Sequence, residues 1–82
     1  MEEKGKGAIR IVEIREEPIE LYKMMKLGDL AGSGGEAKAM IAEGMVWVNG
    51  AVETRKRKKI VSGDVIEQDG ERIQVQVGKP GK

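Results

Sequence analysis

Cysteine and histidine are both absent from the 82 residues. Without cysteine there is neither a disulfide framework nor a thiolate metal site. Without histidine the chain lacks the commonest general base, the usual partner of a nucleophilic serine and the usual transition-metal ligand. Carboxylates remain for acid–base work, but none sits in a run apolar enough to suggest a raised pKa. The expectation is a protein that is not an enzyme and needs no metal or other cofactor. Phenylalanine is also missing, and there is one Trp and one Tyr, so Ile, Val, Leu, Met and Ala must fill the interior. No stretch approaches the roughly 20 apolar residues of a membrane span. The charged start, Met1 to Lys6, leads into a short alternating segment rather than a signal-peptide pattern, so a cytoplasmic protein is the default expectation.

What is present fits one small domain. A chain this short buries only about 60% of its unfolded surface, so its core must be economical. With 39% hydrophobic residues it is nonetheless globular in composition. Net charge is only +1 but unevenly spread. Residues 1–20 hold six acids and four bases, residues 21–62 four acids and eight bases, and residues 63–82 four acids and three bases. A basic middle between acidic ends says more about partners than the total does.

Along the chain, residues 1–7 read as a flexible tail, residues 8–77 as a single domain, and residues 78–82 as a disordered tail. Ala8 to Ile14 alternates and is rich in β-branched residues, as a strand should be. Pro18 after two glutamates predicts a helix starting there, with Ile19, Leu21, Tyr22, Met24, Met25 and Leu27 on its apolar face and Gly28 as its stop. Ser33 and Glu36 have capping-box spacing for a second helix, in which Ala37, Met40 and Ile41 fall on one side. Met45 to Val48, the turn Asn49–Gly50 and Ala51 to Thr54 form a hairpin. Five consecutive cations follow, Arg55 to Lys59. After the turn Ser62–Gly63–Asp64, a second hairpin turns at Asp69–Gly70 and ends in Ile73–Val75–Val77. The fold class is α+β, a helix pair on a small, bent, mostly antiparallel sheet.

The segment SGGEAKAMIAEGMVWVNG, Ser33 to Gly50, resembles the signature of the S-four type of RNA-binding domain: Ser-x-x-x-Ala, a basic residue, x-x-Ile, then Gly-x-Val-x-Val-Asn-Gly. Downstream, IVSGDVI at Ile60 to Ile66 is similar to the family's Val-x-x-Gly-Asp-x-Ile turn, and the likeness spans about residues 18–68. The size, the N-terminal strand and the segment GAVETRKRKKI are most similar to the small stand-alone YbcJ-like group within that family. The resemblance implies the αL motif, two antiparallel helices on a bent sheet. It further implies binding to structured RNA, usually ribosomal or transfer RNA, in association with the ribosome or translation. Two cations common in the family are replaced here, by Pro18 and by Gly34, whereas Lys38 keeps its basic position.

Candidate site residues follow from charge and resemblance together. Five like charges in a row repel one another unless an anion or water neutralises them, which favours a polyanionic partner; the alternative is a solvated loop. Arg55 and Arg57 can take phosphate oxygens bidentately, while Lys56, Lys58 and Lys59 act as point charges. Lys38 either binds phosphate near a helix N-terminus or is an idle neighbour of Glu36. Lys23 and Lys26 on the first helix are further candidates. Gly34 and Gly35 either offer backbone N–H groups to phosphate or merely loosen the loop. Trp47 points away from the face of Val46 and Val48 and is compatible with base stacking or with protein contact. Two alternatives to an RNA module stand: an adaptor whose basic loop meets an acidic protein partner, and an accessory domain serving an RNA-modifying enzyme.

Overall fold

The computed structural model describes residues 9–78. A five-stranded sheet runs in the order β1-β7-β6-β3-β4, built from β1 (Ile9–Ile14), β3 (Trp47–Val48), β4 (Ala51–Val52), β6 (Val65–Gln68) and β7 (Glu71–Val77). Its β1–β7 pairing is parallel and the others are antiparallel. A second, two-stranded sheet pairs β2 (Ile19–Glu20) with β5 (Lys59–Ile60). The helices are α1 (Leu21–Leu27) and α2 (Gly34–Ala42), which pack on each other. The expected α+β class with a mostly antiparallel sheet is what forms. Among the described residues no helix is long and apolar enough to cross a membrane. The expected tails lie outside the described residues, as does Ala8, except that Gly78 donates its N–H to the Ile14 carbonyl at 2.9 Å.

The first helix starts later than Pro18 predicted. Ile19 and Glu20 instead pair antiparallel with Ile60 and Lys59, and helical geometry begins at Leu21. Local proline chemistry favours a helix there, but the strand pairing satisfies the same backbone and positions the fully buried Ile60 against the core. No side chain caps α1. Instead Leu21 and Tyr22 donate their N–H groups to the Lys58 and Lys56 carbonyls, at 2.9 and 3.1 Å. Leu27 also departs from its expected place on the apolar face, being 61% exposed. The helix does stop at Gly28, but not through a left-handed glycine, since φ there is −87° and Asp29 takes the positive φ of 64°. Glycine is required for space: a Cβ would stand 2.5 Å from the Ile73 Cδ1 atom. Arg10 closes this end, its Nη2 donating to the Gly28 carbonyl at 3.0 Å.

Helix α2 is capped much as its sequence suggests. Ser33 Oγ accepts from the Glu36 N–H at 3.1 Å, while Glu36 Oε1 accepts from Gly32 at 2.7 Å, one residue earlier than a standard box. The core unites Leu21, Met24 and Met25 of α1 with Ala37 and Ile41 of α2 and with strand residues including Val46, Ile66, Ile73 and Val75. The two turns that carry the family likeness are tied to each other. Asn49, at φ 53°, donates through Nδ2 to Asp64 Oδ1 at 3.0 Å, and its Oδ1 accepts from the Val65 N–H at 2.9 Å. Those motif residues therefore fasten strands.

Candidate functional site

The bonds that cap α1 also fix the basic loop. Because Lys56 and Lys58 give their carbonyls to the first turn of α1, and Lys58 N–H returns to the Arg55 carbonyl at 3.2 Å, the loop backbone is held while Arg55, Lys56 and Arg57 stay exposed. It lies beside α2. Lys38 on that helix and Arg55, Lys56 and Arg57 on the loop line one groove of about 680 Å³, together with the small side chains Ala39 and Ala42. Four of the expected cations, Lys38 from the helix and three consecutive ones from the loop, thus meet around one concavity. Small residues on the helix wall allow a polymer backbone to approach closely.

The cations are not equivalent. Glu53 takes the Arg55 guanidinium in a fork, Oε2 to Nε at 2.8 Å and Oε1 to Nη2 at 3.1 Å, and also accepts the Arg55 N–H at 2.9 Å. The Glu53 carboxyl is consequently held well below its ordinary range, at about 2, chiefly by the side-chain bond from Arg55 and then by its backbone bond, against the opposing effect of desolvation. The same side-chain bond raises the pKa of Arg55. Arg55 therefore arrives already paired. Lys56 and Arg57 make no ion pair among the described residues, nor does Lys38. Lys58 is half-buried, and Lys59 lies on β5 opposite Glu20, outside this groove's lining.

Tyr22, which the sequence assigned only to the apolar face of the first helix and not to the site, stands at the junction. The Lys38 Nζ lies 4.7 Å from its ring centroid and the Lys23 Nζ 5.9 Å, both within cation–π range. Its ring faces a second groove of about 420 Å³, lined also by Ile19, Lys23, Lys26, Leu27 and Gly34. Lys23 is further drawn to Glu20 at 3.8 Å. Gly35 sits in the first turn of α2 beside Gly34 and lines neither of these grooves. Trp47 is not brought to either groove. Its neighbour Val48 faces the core, which turns Trp47 to the other side of the sheet, between Val52 and Glu67 on adjacent strands. The signals for Tyr22 and Glu53 are visible in the sequence only afterwards: a lone aromatic beside a lysine, and an acid two residues before the cationic run.

Comparison with known proteins agrees with this architecture. The S4 domain family model matches residues 12–76. YbcJ of Escherichia coli (strain K12), whose name describes a candidate RNA-binding protein, is 51% identical over 57 residues, covering 70% of this chain and 81% of its own. RlbA of Bacillus subtilis (strain 168), named as a candidate ribosome maturation protein, is 39% identical over 59 residues, covering 72% of this chain and 83% of its own. The solution structure of Escherichia coli YbcJ, described as having an αL motif involved in RNA binding, superposes with a TM-score of 0.66 at 40% identity, over 93% of this chain and 96% of that one.

Proposed function

Because the chain belongs to the S4 domain family, we propose that it is a non-catalytic RNA-binding module that recognises structured RNA through phosphate contacts and shape. The observation that carries this reading is the convergence of Lys38 with Lys56 and Arg57 on one groove, joined by the partly neutralised Arg55. Cations gathered around small side chains suit a phosphodiester backbone, whose contacts release counterions. Shape and backbone are also what a double-stranded RNA offers, since the A-form major groove is too deep and narrow for side chains to read. Ribosomal RNA is the target class we favour, in line with the ribosome-maturation name carried by the Bacillus relative.

The test is a competition filter-binding measurement with the purified protein. A ribosomal RNA hairpin should bind with micromolar or better affinity and should resist displacement by heparin at equal charge. Equal displacement by heparin would reduce the groove to a general polyanion site. Steep loss of affinity with salt separates this reading from an adaptor anchored on Trp47, whose apolar contact would tolerate salt.

A further inference from the structure

The groove beside Tyr22 differs chemically from its cationic neighbour. Its lining combines the apolar side chains of Ile19, Tyr22 and Leu27 with Lys23 and Lys26. Among the described residues Leu27 is the most exposed of the large hydrophobic side chains, at 61%, on a helix whose Leu21, Met24 and Met25 are fully buried. It therefore contributes little to the core, and at the end of the helix it borders this groove one residue after Lys26. Gly34 keeps one side of the aromatic ring open. A Cβ there would lie 3.7 Å from the Tyr22 Cδ2 and Cε2 atoms, so any longer side chain would cover the ring. Gly34 has no positive φ, so its helical backbone leaves glycine there unexplained.

The two grooves are joined. Lys38 lines the cationic one and lies over the Tyr22 ring that lines the apolar one. A ligand that follows the phosphate path past Lys38 therefore meets an apolar surface with an aromatic ring and lysines at hand. One RNA component has that division, a flat base whose faces suit an apolar surface, attached to an anionic backbone. In a paired duplex the bases are stacked and out of reach, whereas an extrahelical base is free to be splayed out and held.

Resting on the RNA-binding reading above, we infer that the groove of Ile19, Tyr22, Leu27 and Gly34 receives one unpaired nucleobase of the RNA whose phosphates run along the Lys38–Arg57 groove. The ligand class is then a helix with a bulged or looped-out nucleotide rather than a uniform duplex. Lys23 and Lys26 would take the phosphates that flank the extruded base.

Fluorescence anisotropy with the full chain tests this on a panel of labelled hairpins. One is perfectly paired, and the others carry a single extra adenosine at successive steps of the stem. At least one bulged hairpin should bind about tenfold more tightly than the paired one, in the range expected for one base stacked on an aromatic ring. Leu27→Gln and Gly34→Leu should each bring that ratio to near one, with circular dichroism confirming that they fold. Two substitutions on different helices guard against a local folding defect. Equal affinity of the wild-type protein for every hairpin overturns the inference while leaving the RNA reading intact, and leaves the groove to a protein partner. Binding to none of them overturns both. A bulge preference that survives in both variants places the base elsewhere and also overturns it.

Discussion

The Glu53–Arg55 pair makes the cationic groove quantitatively testable. Four cations line it, but one enters already held by a carboxylate through two side-chain bonds. If Glu53 keeps its hold, only Lys38, Lys56 and Arg57 release counterions there. At roughly 0.7–0.9 per phosphate contact, they contribute about 2–3 units to the slope of log affinity against log salt. Between 50 and 200 mM salt that is roughly a 20- to 40-fold loss of affinity from this groove. Arg57→Gln should then flatten the slope by about 0.7–0.9, and Lys38→Gln by a similar amount. Arg55→Gln should flatten it much less. Glu53→Gln should do the opposite, steepening it by about the same 0.7–0.9 as Arg55 becomes available to phosphate. Filter binding of one RNA hairpin across five salt concentrations measures all of these, with melting temperature as the control for folding. If Arg55→Gln flattens the slope as much as Arg57→Gln does, Glu53 must let go on binding and the pairing is not retained in the complex. If Lys38→Gln and Arg57→Gln both fold and keep the wild-type slope, the groove is not the phosphate path.

Ser33→Ala should destabilise the fold by about 0.5–2 kcal/mol through loss of the Glu36 N–H acceptor, read by urea denaturation. Gly28→Ala should cost about 1–3 kcal/mol in the same assay, because its Cβ would press on the fully buried Ile73, and trimming Ile73 to Val should recover part of that loss. Glu53 has a folded pKa of about 2 against an ordinary 4.5, so its stabilising contribution is fully present above pH 4.5 and is lost as pH falls towards 2. The melting temperatures of wild type and Glu53→Gln should therefore converge over that interval in low salt, and a gap that stays constant would show the pair to be stabilising nothing.

Parts of the fold were legible because they depend on a few adjacent residues. Asn49–Gly50 and Asp69–Gly70 each place two consecutive residues at positive φ, a requirement that these residue types meet and most others do not. Ser33 likewise caps the helix that immediately follows it. The β2–β5 pairing was not legible. Two-residue strands carry no periodicity, and Pro18 after two acids argued locally for a helix. What prevails there is the long-range burial of Ile60, together with carbonyls of the basic loop that cap α1 without any side-chain signature. The parallel β1–β7 pairing joins the two ends of the domain, which no local pattern reports.

The site was legible as charge but not as geometry. The run Arg55–Lys59 reads as five equal cations, and the structure sorts them. Arg55 is forked to Glu53, Lys56 and Arg57 are offered to the groove, Lys58 is half-buried, and Lys59 faces Glu20 across a ladder. A sequence count treats only acids inside the run as neutralising. The backbone bond from Arg55 to Glu53, two residues apart, shows that the chain can fold an earlier acid back onto it. Tyr22 was missed for a related reason. Its worth lies in meeting Lys38 from the other helix, and that meeting exists only once α1 and α2 have packed. Cationic strength in such a domain is thus set less by how many bases the loop holds than by which of them the fold leaves without an internal anion.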